Sequence, residues 1–210
     1  MKCLHLYVDS QFVSPYAMSA FVALREKGID FEMNTVDLQK LENQADAYAV
    51  LSQTQRVPTL VDNDFALSES SAITEYLESA YPKVPIYPKD VRLLAKARQV
   101  QAWIRSDLLP IRQERSTLVV FYGANSGPLS PTASLSADKL FSVAQSLLKN
   151  DAKYLFNQWS IADVDLALML NRLILNGDAV PPNLVEYAQR QWQRPSVQEW
   201  VALQRPLLST

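Results

Sequence analysis

Within the first 36 residues the sequence spells strand, helix, strand, and that order leaves the chain few ways to fold. Lys2 to Val8 alternates with period two and puts Leu4, Leu6 and Val8 on one face. Ser14-Pro15 then opens a helix, a capping serine followed by the proline that suits a first helical position. Ala17, Ala20, Phe21 and Leu24 mark its inner face, and Gly28 stops it. A second strand follows around Phe31 to Val36, so the two strands should run parallel.

The next signals extend this unit. A weaker helix around Leu41 to Val50 leads to a strand at Arg56 to Val61, with Val57-Pro58 at its entrance. Asp62-Asn63-Asp64 is a turn cluster, and Phe65-Ala66-Leu67 returns as an antiparallel partner. Ser68-Glu69-Ser70 caps a helix running to about Ala80, with Ala72, Ile73, Tyr76 and Leu77 spaced for burial. Prolines at 82, 85 and 88 then stiffen a linker over residues 81–88; alone, the same spacing would suit an extended SH3 ligand. Everything beyond reads as helical. One long segment is expected from Val91 to Glu114, bent at Pro110, then a loop over residues 123–134. Further helices are expected near Ala137 to Lys149, Ile161 to Leu175, Leu184 to Gln191 and Ser196 to Gln204. Ser160-Ile161-Ala162-Asp163 is a capping box opening a segment apolar on nearly every side, the natural centre of the second domain. The expected boundaries are residues 1–80, the linker 81–88, and 89–210.

Composition narrows the function classes. The chain has 210 residues, 48% hydrophobic and 20% charged, with a net charge of -2, as in a soluble globular protein with a real core. The apolar run before Asp9 is too short for a signal peptide and nothing approaches a membrane span, so a cytoplasmic location is expected. One cysteine and one histidine exclude an intrachain disulfide, and Cys3 with His5 alone cannot build a zinc site. Serine, tyrosine, carboxylates or a bound co-substrate must therefore do any chemistry. Residues 1–88 hold 6 Lys/Arg against 12 Asp/Glu, and residues 89–210 hold 14 against 10. The halves should attract, with the basic half helping to hold a small anion, and the balance argues against nucleic acid as the main partner. Arg98, Arg105 and Arg112 recur every seven residues beside Asp107 and read as a solvated or dimer-facing stripe, or as one arginine facing a ligand.

A β-α-β half followed by β-β-α, with Val-Pro entering the third strand, is the order of the thioredoxin-like fold. Four motifs in order make the whole chain resemble the soluble glutathione transferases: S-P-Y-x-x-S at 14–19, R-V-P-T-L at 56–60, L-S-E-S-S-A-I-x-x-Y-L at 67–77, and S-I-A-D at 160–163. It is similar to the bacterial serine-type members, closest to the enterobacterial YfcF-like branch. The resemblance implies a thioredoxin-like α/β domain (β-α-β-α-β-β-α) followed by an all-α bundle.

The resemblance also implies roles, residue by residue. Val57-Pro58 matches a cis-proline turn that offers the Val57 N–H and C=O to the cysteinyl backbone of glutathione. Ser70, at a helix start, would bind the γ-glutamyl carboxylate and Glu69 the γ-glutamyl amine, although a plain N-cap would explain the pair as well. Arg56 matches a position that reaches the glycyl carboxylate, with a solvated surface arginine as the plainer alternative. Asp163 is a folding cap, not an acid or base. The chain departs from the family at Leu51 to Gln55, where Asn-Pro-x-Gly is frequent. It also carries Ser14 where redox-active branches carry cysteine, so no mixed disulfide is expected.

Of four hydroxyls near the first strand's end, Tyr7, Ser10, Ser14 and Tyr16, the capping Ser14 is the expected catalytic group and Tyr7 the alternative. Ser14 would donate a hydrogen bond to the glutathione sulfur and favour its thiolate, helped by the helix N-terminus. The implied activity is glutathione transfer to an electrophilic small molecule, with organic hydroperoxide reduction as a related option. Glutathione is the implied co-substrate, with no metal and a homodimer as partner state. The implied electrophile pocket uses Phe12, Val13, residues 105–109, and Phe121 and Tyr122 of the 116–128 segment. The alternative is a non-catalytic interaction protein of the same fold, like starvation-response factors or translation-factor subunits.

Overall fold

The computed structural model describes residues 4–149 and 152–208. Cys3 lies outside these residues. The chain divides into two compact units, one of residues 4–86 with 198–208, the other of residues 87–197.

The first unit follows the strand-helix reading. Strand β1 (Leu4–Asp9) leads to helix α1 (Pro15–Glu26) and strand β2 (Phe31–Val36). A 3₁₀ turn (Glu42–Gln44) and the short α2 (Asp46–Leu51) connect to β3 (Thr59–Asp62), β4 (Phe65–Ser68) and α3 (Ser70–Ala80). The sheet order is β2-β1-β3-β4. β1 pairs parallel with β2, as a helical crossover requires, whereas β3 is antiparallel to both β1 and β4. Leu4, Leu6 and Val8 of β1 are buried, as their alternation predicts, with Phe21 and Leu24 of α1 and Ile73 and Leu77 of α3. Each such side chain contributes about 1.5–3 kcal/mol on burial, so this layer outweighs any single cap or turn.

Lys27 ends α1 with a side chain only 1% exposed. Its ammonium pairs with Glu78 at 2.8 Å and donates to the Tyr81 and Val84 carbonyls at 3.0 and 2.6 Å. The start of the proline-spaced segment is thus tied back to α1, and the Ile86 N–H adds a bond to Glu78 at 3.0 Å. The segment around residue 200 also belongs to this unit. Trp200, fully buried, lies 5.3 Å from the Phe21 ring and 6.0 Å edge-on from Phe12, and Glu199 pairs with Arg25 at 2.9 Å.

The second unit is helical: α4 (Val91–Ser106), α5 (Leu109–Glu114), α6 (Thr117–Tyr122), α7 (Pro131–Leu147), α8 (Ile161–Ile174), α9 (Pro182–Trp192) and α10 (Pro195–Val201), the last of which runs on into the first unit. The helix expected over Val91 to Glu114 is two. It breaks at Asp107-Leu108, and Pro110 falls in the first turn of the second piece, which starts at Leu109, where its missing N–H costs nothing. The helix expected from Ala137 starts at Pro131, because Ser130-Pro131 repeats the opening of α1. α6 lies between the helix expected to end at Glu114 and the loop expected from residue 123: Ser116 caps it and Gly123 closes it at φ 66.

α8 is buried on nearly every side, and α4, α6 and α9 pack around it. Asp163 acts as the cap its motif predicts. Its carboxylate accepts the Ser160 and Leu155 N–H groups at 2.8 Å each, and the Tyr187 hydroxyl at 2.8 Å. Burial pushes Asp163 up while these donors pull it down. The arginine stripe is also satisfied internally. Arg105 bonds Asp165 and the Gln101 carbonyl, Arg112 bonds the Ile104 carbonyl, and Asp107 takes the Lys139 ammonium and the Trp103 indole N–H. Among the described residues no helix is long and apolar enough to cross a membrane.

Candidate functional site

Sheet register brings the candidate residues to one end of the first unit. β1 ends at Asp9, and Tyr7 lies opposite Thr59 on antiparallel β3, which lies opposite Ser68 on β4. The chain therefore leaves β1 toward Ser14, enters β3 through Arg56-Val57-Pro58, and leaves β4 into Glu69-Ser70, all at the same edge. Each approach contains a non-glycine residue in the left-handed region: Phe12 at φ 51, Gln55 at φ 52 and Glu69 at φ 74. Such conformations cost about 1–3 kcal/mol each and gather where geometry serves a site.

Ser14 is the N-cap of α1, with φ -67 and ψ 117, the extended backbone expected of a residue before proline. Its Oγ accepts the Ala17 N–H at 3.2 Å. That bond uses an oxygen lone pair and leaves the hydroxyl proton uncommitted, because a serine hydroxyl carries one donor and two acceptor sites. Among the described residues this proton has no acceptor. Ser130 supplies a comparison within the same chain. It caps α7 with the same Ser-Pro start and the same 3.2 Å bond to Ala133, but its hydroxyl donates to Glu114 Oε1 at 2.5 Å. One capping serine is spent on a carboxylate and the other is not.

The turn carrying Ser14 is built on Asp9, which in the sequence is legible only as the residue that stops the first apolar run. Asp9 is 3% exposed, and its carboxylate accepts the Val13 N–H at 2.7 Å and the Ser14 N–H at 3.0 Å. Burial pushes its carboxyl above the ordinary range, opposed by those two N–H groups and by the charge of Arg205.

The Val57–Pro58 peptide bond is cis, as the motif implies. Pairing on both sides of β3 begins at Thr59, so the Val57 N–H and C=O lie outside both ladders. The preceding loop is fixed through one atom. The hydroxyls of Tyr48, Thr59 and Ser52 converge on the Arg56 carbonyl oxygen at 3.0, 3.0 and 3.3 Å. Burial pushes the Tyr48 phenol up, which keeps it a protonated donor. Tyr48 and Ser52 are a part of the site that the sequence did not announce, since α2 is short and mostly exposed. The Arg56 side chain itself is exposed.

Tyr7, the alternative catalytic hydroxyl, packs edge-on against Tyr48 with ring centroids 6.0 Å apart. His5 faces β2, with Nδ1 at 3.2 Å from Asn34 and 3.6 Å from Glu32. Ser10 donates its backbone N–H to the Val36 carbonyl. Glu69, exposed, is the N-cap of α3 but makes no side-chain cap bond, and Ser70 begins the helix 3% exposed. The sequence expectation of a side-chain cap is not met at Glu69 itself, where a backbone turn at φ 74 leads directly into α3.

Comparison with known proteins also divides the chain after residue 85. The family model for the glutathione S-transferase N-terminal domain matches residues 12–85, and that for the glutathione S-transferase C-terminal domain matches residues 90–205. A glutathione S-transferase of Triticum aestivum is 32% identical over 160 residues, 73% of this chain and 71% of the wheat protein. Glutathione S-transferase theta-1 of Bos taurus is 37% identical over 134 residues, 61% of this chain. The match spans only 53% of that bovine protein's length. Among solved structures, a glutathione transferase homologue from Burkholderia, with bound glutathione, is 46% identical with a TM-score of 0.78, covering 95% of this chain and 96% of that one. A theta-class glutathione S-transferase from Xanthomonas axonopodis pv. citri, with glutathione bound, has a TM-score of 0.77 at 22% identity, covering 97% of this chain and 99% of that one, a likeness of fold alone.

Proposed function

We propose that this chain, which belongs to the glutathione S-transferase family, is a serine-type glutathione transferase of or near the YfcF-like branch. The observation that carries this reading is the Ser14 hydroxyl, which caps α1 with its donor uncommitted among the described residues, unlike the cap at Ser130, whose hydroxyl donates to Glu114. A thiol with pKa near 8.5 is mostly protonated at neutral pH, and the thiolate is the nucleophile. A hydroxyl donor at the positive end of α1 favours the anion over the thiol. Ser14 does not abstract the proton; it stabilises what remains after the proton leaves to water.

The rest of the edge suits a γ-glutamyl tripeptide. Val57, outside the strand ladders, offers one N–H and one C=O to the cysteinyl backbone. The first N–H groups of α3, with Ser70, receive the γ-glutamyl carboxylate, and Glu69 receives the amine. Arg56, exposed beside Val57, reaches the glycyl carboxylate. The thiolate then attacks an electrophilic carbon, forming a C–S bond and expelling the leaving group, or a hydroperoxide oxygen, expelling the alkoxide. The related Burkholderia structure, at 46% identity and with glutathione bound, supports the same ligand here. A homodimer is the assembly the family suggests.

Isothermal titration of the full chain with glutathione tests the reading. Binding with one site per chain is expected, followed by conjugation of a model aryl halide. No heat of binding at millimolar glutathione would overturn it and leave the interaction-protein reading in its place.

A further inference from the structure

The turn between β1 and α1 is held from two directions, and both anchors are charged. From within, Asp9 takes the Val13 and Ser14 N–H groups on separate carboxylate oxygens, and its own carbonyl takes the Phe12 N–H at 3.0 Å. This wraps residues 9–14 around one buried carboxylate and sets Phe12 in its left-handed conformation. From the far end of the chain, Arg205 donates to the Phe12 carbonyl at 3.2 Å. The same guanidinium gathers the Trp200, Val201 and Leu203 carbonyls at 3.0, 2.8 and 3.0 Å, so it holds its own segment in shape as it reaches the turn. Trp200 completes the clamp by packing on Phe12 and Phe21.

Nothing in the cap of α1 itself needs this construction. Ser130 caps α7 with the same geometry and has a carboxylate on its N–H too, but that carboxylate, Glu114, also accepts the hydroxyl's hydrogen bond. At Ser14 the carboxylate is engaged by two backbone N–H groups, so the residue is located without its hydroxyl being consumed. We propose that Asp9 and Arg205 are positioning residues for the Ser14 hydroxyl, fixing the turn so that its free proton is held toward the glutathione sulfur. This rests on the reading of Ser14 as the thiolate's hydrogen-bond donor. Neither residue touches the substrate. They act through the backbone of residues 12–14.

The sign of one measurement separates positioning from simple electrostatics. Removing a negative charge near a thiolate favours the thiolate and lowers the thiol pKa. Loosening the hydroxyl that stabilises the thiolate raises it. Asp9→Asn keeps the size of the side chain and removes the paired acceptor. Arg205→Lys keeps the charge and removes the fork that spans Phe12 and its own segment.

The experiment is a titration of glutathione bound to the full chain, followed by ultraviolet thiolate absorbance, for wild type, Ser14→Gly, Asp9→Asn, Arg205→Lys and the double variant Asp9→Asn with Ser14→Gly. Expected is a rise of about half to one pKa unit in Asp9→Asn and Arg205→Lys, roughly a 3- to 10-fold smaller thiolate fraction at neutral pH. A larger rise is expected in Ser14→Gly, and no further rise when Asp9→Asn is added to it, the non-additivity of residues acting through one another. If Ser14→Gly raises the value while Asp9→Asn and Arg205→Lys leave it at wild type or lower it, the positioning role is overturned and Ser14 keeps its role. If Ser14→Gly itself changes nothing, both are overturned. A lower melting temperature with an unmoved thiol would mark Asp9 and Arg205 as merely structural, and would equally overturn the proposal. Should Asp9→Asn fail to fold, Arg205→Lys decides alone.

Discussion

Ser14→Gly isolates the chemistry of the candidate site from its architecture. Replacing a capping serine by alanine costs about 0.5–2 kcal/mol, whereas glycine at the same position costs only a few tenths. Helix α1 buries every residue from Ala17 to Leu24, at about 1.5–3 kcal/mol for each large apolar side chain, so the fold tolerates the change. The chemical loss is larger. A hydrogen bond to a charged group contributes about 1.5–3 kcal/mol, and one pKa unit corresponds to about 1.36 kcal/mol, so the bound thiol should rise by about one to two units. If the hydroxyl donates to the bound sulfur, as proposed, it lowers the pKa of the thiol in the complex, and its removal moves the acid limb of the rate profile to higher pH. On the acid limb, below both thiol pKa values, kcat/KM for a model aryl halide should fall by roughly 10- to 100-fold, and above the free thiol's pKa near 8.5 the two enzymes should converge. The assay is kcat/KM against pH, with urea denaturation alongside. Ser130→Gly is the matched control, removing the same cap bond from α7 while leaving the profile unmoved. An acid limb that stays in place in Ser14→Gly, in a folded protein that still binds glutathione, would refute the reasoning.

Two further outcomes follow from buried charge. Lys27→Met leaves Glu78 to the Ile86 N–H and removes the donor from the Tyr81 and Val84 carbonyls, which should cost about 1–3 kcal/mol; a urea midpoint within error of wild type would show that the ammonium is dispensable. Asp62 accepts the Tyr76 and Tyr81 hydroxyls at 2.7 and 2.6 Å. Burial, then the bond to Asp62 and its charge, pushes Tyr76 from 10.0 up to about 12 and raises Tyr81 as well. The folded phenol keeps its proton where the unfolded one loses it. Its stabilising effect is complete below pH 10 and is lost as pH climbs toward about 12. Denaturation measured across that window should show stability falling with pH in wild type and a shallower fall in Tyr76→Phe; equal slopes would contradict the assignment.

How far the sequence carries can be judged element by element. Period-two alternation at Leu4, Leu6 and Val8, the Ser-Pro start at 14–15 and the Gly28 stop are local signals, and local sterics and hydrogen bonding suffice to read β1, α1 and β2 from them. The capping box at 160–163 likewise located α8 and identified Asp163 as a structural group. The same grammar at Ser130-Pro131 was overlooked because Gly, Ser and Pro crowd the preceding loop. The break at Asp107-Leu108 escaped because apolar spacing continues across it. For the candidate site, Ser14, Arg56, Val57, Glu69 and Ser70 stand in short motifs, and their roles were named through the family those motifs resemble. What no local pattern contains is their shared sheet edge, set by the register of Tyr7 with Thr59 and of Thr59 with Ser68. Tertiary contact alone also recruited Tyr48 and Ser52 to the Arg56 carbonyl, and Arg205 to a turn 193 residues earlier in the chain. The sequence by itself determined which backbone segments could be strand, helix or cap, because those preferences are settled within a turn or two of the chain. Only the folded structure decided which capping serine has its hydroxyl donor occupied, because that depends on where a carboxylate comes to rest: Glu114, from another helix, reaches the hydroxyl of Ser130, whereas Asp9, at the end of β1, takes only the backbone N–H of Ser14.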